Sequence, residues 1–478
     1  MKITFINPTL GGDYSALDIA ITTLATIINK HSDHEAKILD FTFTRRTWKK
    51  KLKKHLKVEE PDIIGFSVNS LYLNHIKKIS KEVKKINSSI DVIYGGYHAS
   101  TKPETLIDLE YVDYVFTGDS EKSIIKFLDS KSNDELGRIP GMWYYNGKKL
   151  IRESPRFKSN LNDIPYLDWD LWEDLDKYFY FLGMLYMIGS RGCIYNCSFC
   201  ETKELRKKVN GSYYRLINPK RFVKEIKYQW EKYKDRNLRL IQIFDQIPTK
   251  NKKWLKEFTT EFKKELNPNR CKYSFFSRAD DLDSEKISWL SDAGCLMLRV
   301  GIESGDEKIR NEVMNKKLSD KKIKEVFTKI KESNINITAY YILGAPSETK
   351  DTLNKTLEFA KWIDAERSAF FIFKPFTLQS QELVKKHNGK INIKKKVDNI
   401  TFDAVVDYKD LKSYEIERFQ IKAYLETFSP RLFYLIRKDG PFYFIKLFIY
   451  LFKGLIYGLD FKYLITYFHI YAYDYIYE

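Results

Sequence analysis

Arg191-Gly192-Cys193-Ile194-Tyr195-Asn196-Cys197-Ser198-Phe199-Cys200 decides how this chain is read. Three of the chain's five cysteines fall in this stretch, in the pattern Cys-x3-Cys-x2-Cys. Thiolates are the soft ligands that iron–sulfur clusters take. Three on one loop can hold three irons of a 4Fe–4S cubane. With no fourth cysteine nearby, the last iron is left open for a small molecule. A partial zinc site is the alternative, but zinc pairs are usually followed by a distant second pair, and this chain has none. A disulfide would leave an odd thiol.

Working outward toward the C-terminus, apolar runs alternate with helical patterns from Met184. Strands are expected at Leu185–Ser190, Leu238–Phe244, Lys272–Ser277, Leu296–Ile302, Asn336–Leu343 and Ala369–Lys374, with helices such as Pro219–Tyr233 and Asp320–Ser333 between them. Six parallel βα units suggest an open barrel whose chemistry lies at the strand carboxyl ends. The cysteine loop follows the first strand. The later ends carry Phe244-Asp245-Gln246, Ser277-Arg278-Ala279-Asp280, Gly301-Ile302-Glu303-Ser304-Gly305 and Gly344-Ala345-Pro346-Ser347-Glu348-Thr349. Arg215 and Lys374 are candidates for structural pairing or substrate binding. Cys271 and Cys295 lie in or beside apolar segments and read as packing residues.

Working outward toward the N-terminus, strands are expected at Lys2–Ile6, Ala36–Asp40, Asp62–Ser67, Asp91–Gly95 and Val112–Phe116, with amphipathic stretches such as Leu71–Ile86 between them. This alternation predicts a parallel, doubly wound sheet. Such sheets bind ligands at their strand ends, here Asn7-Pro8, Ser67-Val68-Asn69-Ser70, Gly95-Gly96-Tyr97-His98 and Thr117-Gly118-Asp119. Residues 139–152 read as a hairpin turning at Asn146-Gly147, and 153–182 as an irregular aromatic linker. The basic run Arg45–Lys57 reads as a solvated helix face, because Trp48, Leu52 and Leu56 recur at helical spacing. The fold class is α/β, with units at 1–138, 139–183, 184–388 and 389–478.

The cysteine loop resembles the signature of the radical S-adenosylmethionine (SAM) superfamily. The resemblance implies that Cys193, Cys197 and Cys200 bind three irons and that SAM binds the fourth. It further implies that the reduced cluster yields a 5′-deoxyadenosyl radical. Phe199 would pack beside the SAM adenine, and Glu303 would bind the ribose hydroxyls or the methionine amine. Ser277 and Arg278 would approach the SAM ribose and carboxylate, and Asp245 would face SAM or cap the next helix. An external flavodoxin- or ferredoxin-like electron donor is also implied.

About residues 1–130 resemble the cobalamin-binding domain that precedes the barrel in one large subfamily. Pro61–Ser67, Tyr94–Ala99 and Val112–Glu121 carry that likeness. Ser67, Asn69, Gly95, Gly96, His98 and Gly118 would then lie around cobalamin. The Asp-x-His-x-x-Gly of cobalamin domains that supply a lower axial histidine is absent, as it often is in the subfamily's methylases: Asp40-Phe41-Thr42-Phe43-Thr44-Arg45 has no histidine. His98 is expected at the ligand edge or the domain interface, not on cobalt. The expected reaction is methylation of an unactivated carbon of a small molecule or lipid. Ring formation or carbon–carbon coupling on a lipid or tetrapyrrole is the alternative. Methylthiotransfer is disfavoured because no cysteine precedes Cys193. A cobalamin sensor is disfavoured because it needs no cluster.

A net charge of +18 favours an anionic partner. The lysines are spread over many helices, as solvated faces would be, which argues against nucleic acid. The N-terminus lacks the long apolar region of a signal peptide, and the few cysteines point to the cytosol. Tyr414–Glu426 reads as an amphipathic helix. Pro441–Tyr477 is dense in Phe, Tyr, Leu and Ile, yet its uninterrupted runs are too short to span a bilayer. It is expected to cap the site or to lie peripherally on a membrane.

Overall fold

The computed structural model describes the chain except residues 11–16, 71, 134–135, 155–158, 209–211, 393–400, 440, 460, 462–463 and 465–478; for 429–439, 441 and 443 it describes the backbone alone. The first sheet contains β1 (Lys2–Asn7), β2 (Glu35–Asp40), β3 (Ile63–Ser67), β4 (Asp91–Gly95), β5 (Tyr114–Phe116), β6 (Met142–Asn146) and β7 (Lys149–Arg152). Their order is β2-β1-β3-β4-β5-β6-β7. The first five are parallel. Side chains alternate across a strand, so Ile3 and Phe5 join one core while Ile6 joins the other. Helix Ile19–His31 covers the first face, and helices Trp48–Glu59 and Leu73–Ile86 the second. Trp48, Leu52 and Leu56 are buried, so the basic run is one solvated helix face.

The hairpin does form, and it extends this sheet. β6 pairs antiparallel with β5 and β7 with β6. Residues 159–182 are more regular than the linker expected from the sequence. They contain the helix Leu175–Leu182 and bury Trp169, Trp172, Tyr178, Phe179 and Phe181. Trp172 Nε1 donates to Thr22 Oγ1 at 2.9 Å, and Gln229 Nε2 donates to Leu167 O at 2.7 Å. The segment thus fastens the first sheet to the second.

The second sheet contains β8 (Met184–Met187), β11 (Leu240–Ile243), β12 (Lys272–Ser277), β13 (Cys295–Glu303), β14 (Asn336–Leu343) and β15 (Arg367–Ile372), while β9 (Ser190–Arg191) and β10 (Arg215–Leu216) form a separate two-stranded ribbon between β8 and β11 in the chain. Its order is β15-β14-β13-β12-β11-β8, all parallel, and its two edge strands do not pair with each other. It is a curled half-barrel. The first barrel strand ends at Met187, earlier than the sequence pattern suggests, and Ser190–Arg191 instead pairs antiparallel with Arg215–Leu216. Cys271 and Cys295 are buried packing residues. Helices Ser413–Asp439 and Pro441–Ile456 follow the barrel. Tyr424 packs on Phe370 and Tyr450 on Phe181. Among the described residues no helix is long and apolar enough to cross a membrane.

Candidate active site

The cysteine loop leaves the barrel through a forced bend. Gly192 has φ +95°, and a Cβ there would lie 2.2 Å from the Tyr213 carbonyl oxygen, so only glycine fits. The loop is then clamped by backbone contacts. Ser198 N and Oγ donate to Met314 O and Val313 O at 3.0 and 2.7 Å. Asn315 Nδ2 donates to Asn196 O at 2.8 Å, and Arg206 to Cys193 O at 3.1 Å. Phe199 is partly buried against the main core.

All three thiols are free of disulfides and partly exposed. Burial pushes the Cys193 thiol up to about 11 and also raises Cys197. Metal binding would therefore release protons. No three ligand groups among the described residues are gathered as one ion requires. A cubane takes one iron per thiolate and needs its ligands spread. The Arg278 guanidinium stands beside this donor set, with Nη1 3.6 Å from Cys197 Sγ. Free thiols, a rigid loop and an adjacent cation fit an anionic iron–sulfur cluster.

The expected SAM residues gather at the neighbouring strand ends, but most are already engaged. Arg278 is bidentate to Asp280 at 2.9 Å, donates to Lys316 O at 2.7 Å and lies 3.7 Å from the centre of the Tyr195 ring. Burial would lower its pKa, but Asp280 more than offsets this and keeps it charged. Ser277 Oγ is 2.7 Å from Thr249 Oγ1. Glu303, at φ +70°, pairs with Lys316 at 2.5 Å, so the ion pair within the barrel does form. Lys316 was not expected at the site and stands in no pattern that marks it; Tyr195 lies within the cysteine motif, but its contact with Arg278 was not foreseen.

Asp245 is held by the backbone that leads into the cysteine loop. It does not cap the following helix, whose N-cap is Asn251. Its Oδ1 accepts from Gly189 N at 2.8 Å, while Oδ2 has no hydrogen-bond partner among the described residues. Burial pushes its pKa up to about 7. It shapes the approach to the cysteine loop.

Between the two sheets lies a cavity of about 520 Å³. Asn7, Ser67, Asn69, Gly95, Gly96 and Gly118 line one wall. Tyr186, Arg191, Tyr213, Phe244 and Gln246 line the other. Gly96 has φ +90°, and a Cβ there would lie 2.9 Å from Val68 N. Arg191 and Arg215 cross the gap to Asp119 at 3.2 and 2.7 Å, and Arg191 also pairs with Glu121. Burial alone would raise the Asp119 carboxyl, but the two guanidiniums hold it below its usual range. Arg215 is thus a structural pairing residue.

His98 does not line this cavity. Its Nδ1 lies 2.8 Å from Ser70 Oγ and its Nε2 3.0 Å from Thr105 Oγ1. Burial pulls its pKa down to about 4, so it is a neutral ring at the domain interface. No histidine lines the described walls. A flat ligand resting on backbone glycines and hydroxyls fits there, with no ring nitrogen offered to a metal.

Comparison with known proteins adds to this geometry. Residues 187–360 match the family model described as the radical SAM superfamily, and residues 5–127 match that of the B12 binding domain. An uncharacterized methyltransferase of Pyrococcus horikoshii is 25% identical over 418 residues, covering 86% of this chain and 87% of that protein. The anaerobic magnesium-protoporphyrin IX monomethyl ester cyclase of Cereibacter sphaeroides is 26% identical over 350 residues, covering 70% of this chain and 55% of that protein. The fold is similar to that of TsrM from Kitasatospora setae, a radical SAM methyltransferase solved with cobalamin and a [4Fe–4S] cluster. The TM-score is 0.67 at 17% identity, covering 82% of this chain and 77% of that one.

Proposed function

We propose, from the match of residues 187–360 to the radical SAM superfamily and of residues 5–127 to the B12 binding domain, that the chain is a cobalamin-dependent radical SAM methyltransferase. It acts on an unactivated carbon of a small molecule or lipid. The observation that carries this reading is the shared cavity, walled by the strand ends of one sheet and by Arg191 and Gly192 at the start of the cysteine loop.

When bound, the cluster and SAM supply a carbon radical and cobalamin supplies the methyl group. The chain's own residues bind and position. Cys193, Cys197 and Cys200 hold the irons, while Arg278 offsets their negative charge. Glu303, Arg278 and Phe199 border the SAM position. Ser277 acts through Thr249 and Asp245 through the Gly189 backbone. Ser67, Asn69, Gly95, Gly96 and Gly118 cradle the corrin. Electrons come from an external flavodoxin- or ferredoxin-like donor. The exposed Phe442, Phe448 and Phe452 of the helix Pro441–Ile456 make peripheral membrane contact.

The test uses anaerobically reconstituted protein and SAM carrying a labelled methyl group, with extracts of cells that lack the chain. A product carrying the labelled carbon supports the reading. 5′-Deoxyadenosine formed alongside a product with no added carbon would instead favour ring formation.

A further inference from the structure

Tyr97 lies on the helix Gly96–Thr101 that follows β4, lines the cavity and is 40% exposed. Its hydroxyl oxygen accepts from Gln246 Nε2 at 2.9 Å. The same nitrogen lies 3.3 Å from Thr202 Oγ1, which is 3.2 Å from Cys200 Sγ. We infer that Tyr97, Gln246 and Thr202 form a path by which the occupant of the cavity sets the reduction potential of the cluster on Cys200. The inference rests on the cofactor reading above and adds a role for three residues outside it.

The direction of each bond follows from donor chemistry. An iron-bound thiolate carries no proton, so the Thr202 hydroxyl must donate to sulfur. The Gln246 amide nitrogen can only donate, so it fixes Thr202 and Tyr97 as acceptors and leaves the Thr202 proton for Cys200. Gln246 Oε1 is buried with no hydrogen-bond partner among the described residues, so nothing on that side holds the amide in place. Turning the amide over would place a carbonyl against Thr202 and draw its proton off the sulfur. Hydrogen bonds to ligating sulfurs are a recognised control on cluster potential, and losing one makes reduction harder.

The position of Tyr97 therefore governs which way the amide rests. A second tie keeps this helix in step with the loop. His98 meets Ser70, and Ser70 Oγ donates to Glu201 Oε1 at 3.2 Å, one residue beyond Cys200. A ligand pressing on Tyr97 cannot shift the helix without loading residues 200–202. Thr202, Gln246 and Tyr97 are positioning residues in this scheme, since they act through Cys200.

The test is an EPR-monitored redox titration of the reconstituted full chain, with and without hydroxocobalamin, with iron content measured in parallel. Thr202→Val should keep its iron and become about tenfold harder to reduce, equivalent to 59 mV for one electron. Thr202→Ser should restore the wild-type potential. In wild type, hydroxocobalamin should move the potential, and Tyr97→Phe or Gln246→Ala should remove most of that movement. An unchanged potential in Thr202→Val overturns the sulfur bond. A full cobalamin effect in Tyr97→Phe overturns the path. A wild-type chain that binds no iron overturns the cofactor reading together with the inference. A chain that binds iron but no cobalamin overturns the coupling and the methyl-transfer reading, while Thr202→Val still reports on the sulfur bond.

Discussion

Arg191 Nη1 lies 3.2 Å from Asp119 Oδ2, and so ties the residue that opens the cysteine loop to a strand-end loop of the first sheet. Arg215 holds the same carboxylate from the other side at 2.7 Å. One acid shared by two bases is thus among the ties between the two sheets.

Asp119→Asn should cost about 2–3 kcal/mol, below the usual loss for a fully buried pair because these side chains keep some solvent contact. The sign with pH follows from the depressed carboxyl. Its stabilisation is present above about pH 4, the unfolded value, and is lost as pH falls through the folded value. Urea unfolding at neutral pH should show the deficit, and it should shrink in acid. Equal stability at pH 7 would remove the ion cluster from the account.

Cys197→Ala should lower iron from about four per chain, the content of one cubane, and abolish 5′-deoxyadenosine formation. The three thiols on a clamped loop motivate this. Normal deoxyadenosine release by the variant would rule the loop out as the cluster site.

Glu348 Oε2 accepts from Gly344 N at 2.5 Å and from Ala345 N at 2.9 Å, yet burial pushes its pKa up to about 8. A raised acid stabilises most below its unfolded value, about 4.3, and that contribution is lost as pH rises through 8. Glu348→Gln should therefore flatten the decline of melting temperature between pH 6 and pH 8.5. An identical slope in the variant would show that Glu348 does not titrate in this range.

The helix Pro441–Ile456 docks through Tyr450 and exposes Phe442, Ile445, Phe448, Phe452 and Ile456. Residues 441–459 contain Lys446 and Lys453 and no acid. Phe448→Ser with Phe452→Ser should reduce co-sedimentation with anionic vesicles several-fold, and added salt should weaken the wild type. If the wild type does not sediment, membrane contact is wrong and the face has another role.

The sheets were legible because their determinants are local. Ile3, Phe5 and Ile6 alternate correctly, and Asn146-Gly147 announces its own turn. Where the hairpin docks is a choice between distant edges, and no local pattern marked its pairing with β5. The helix Leu175–Leu182 was hidden because its aromatic residues face packing partners on most sides. At the site, the three cysteines could be read from their spacing, and the cavity-lining glycines from their place at expected strand ends. The Glu303–Lys316 pair could not, since Lys316 is brought back by the loop after β13. His98 reads in the sequence as an edge or interface residue rather than a cobalt ligand, and Ser70 and Thr105 occupy both its ring nitrogens.

The central claim is that the cavity between the sheets holds cobalamin with no nitrogen ligand from the protein. The most direct measurement is EPR of the cobalt(II) form after reconstitution with hydroxocobalamin and removal of the excess. Near-stoichiometric retention and no nitrogen superhyperfine splitting are expected, because no histidine lines the described walls and His98 is engaged elsewhere. Splitting that disappears in His98→Ala, or failure to retain cobalamin, would contradict it.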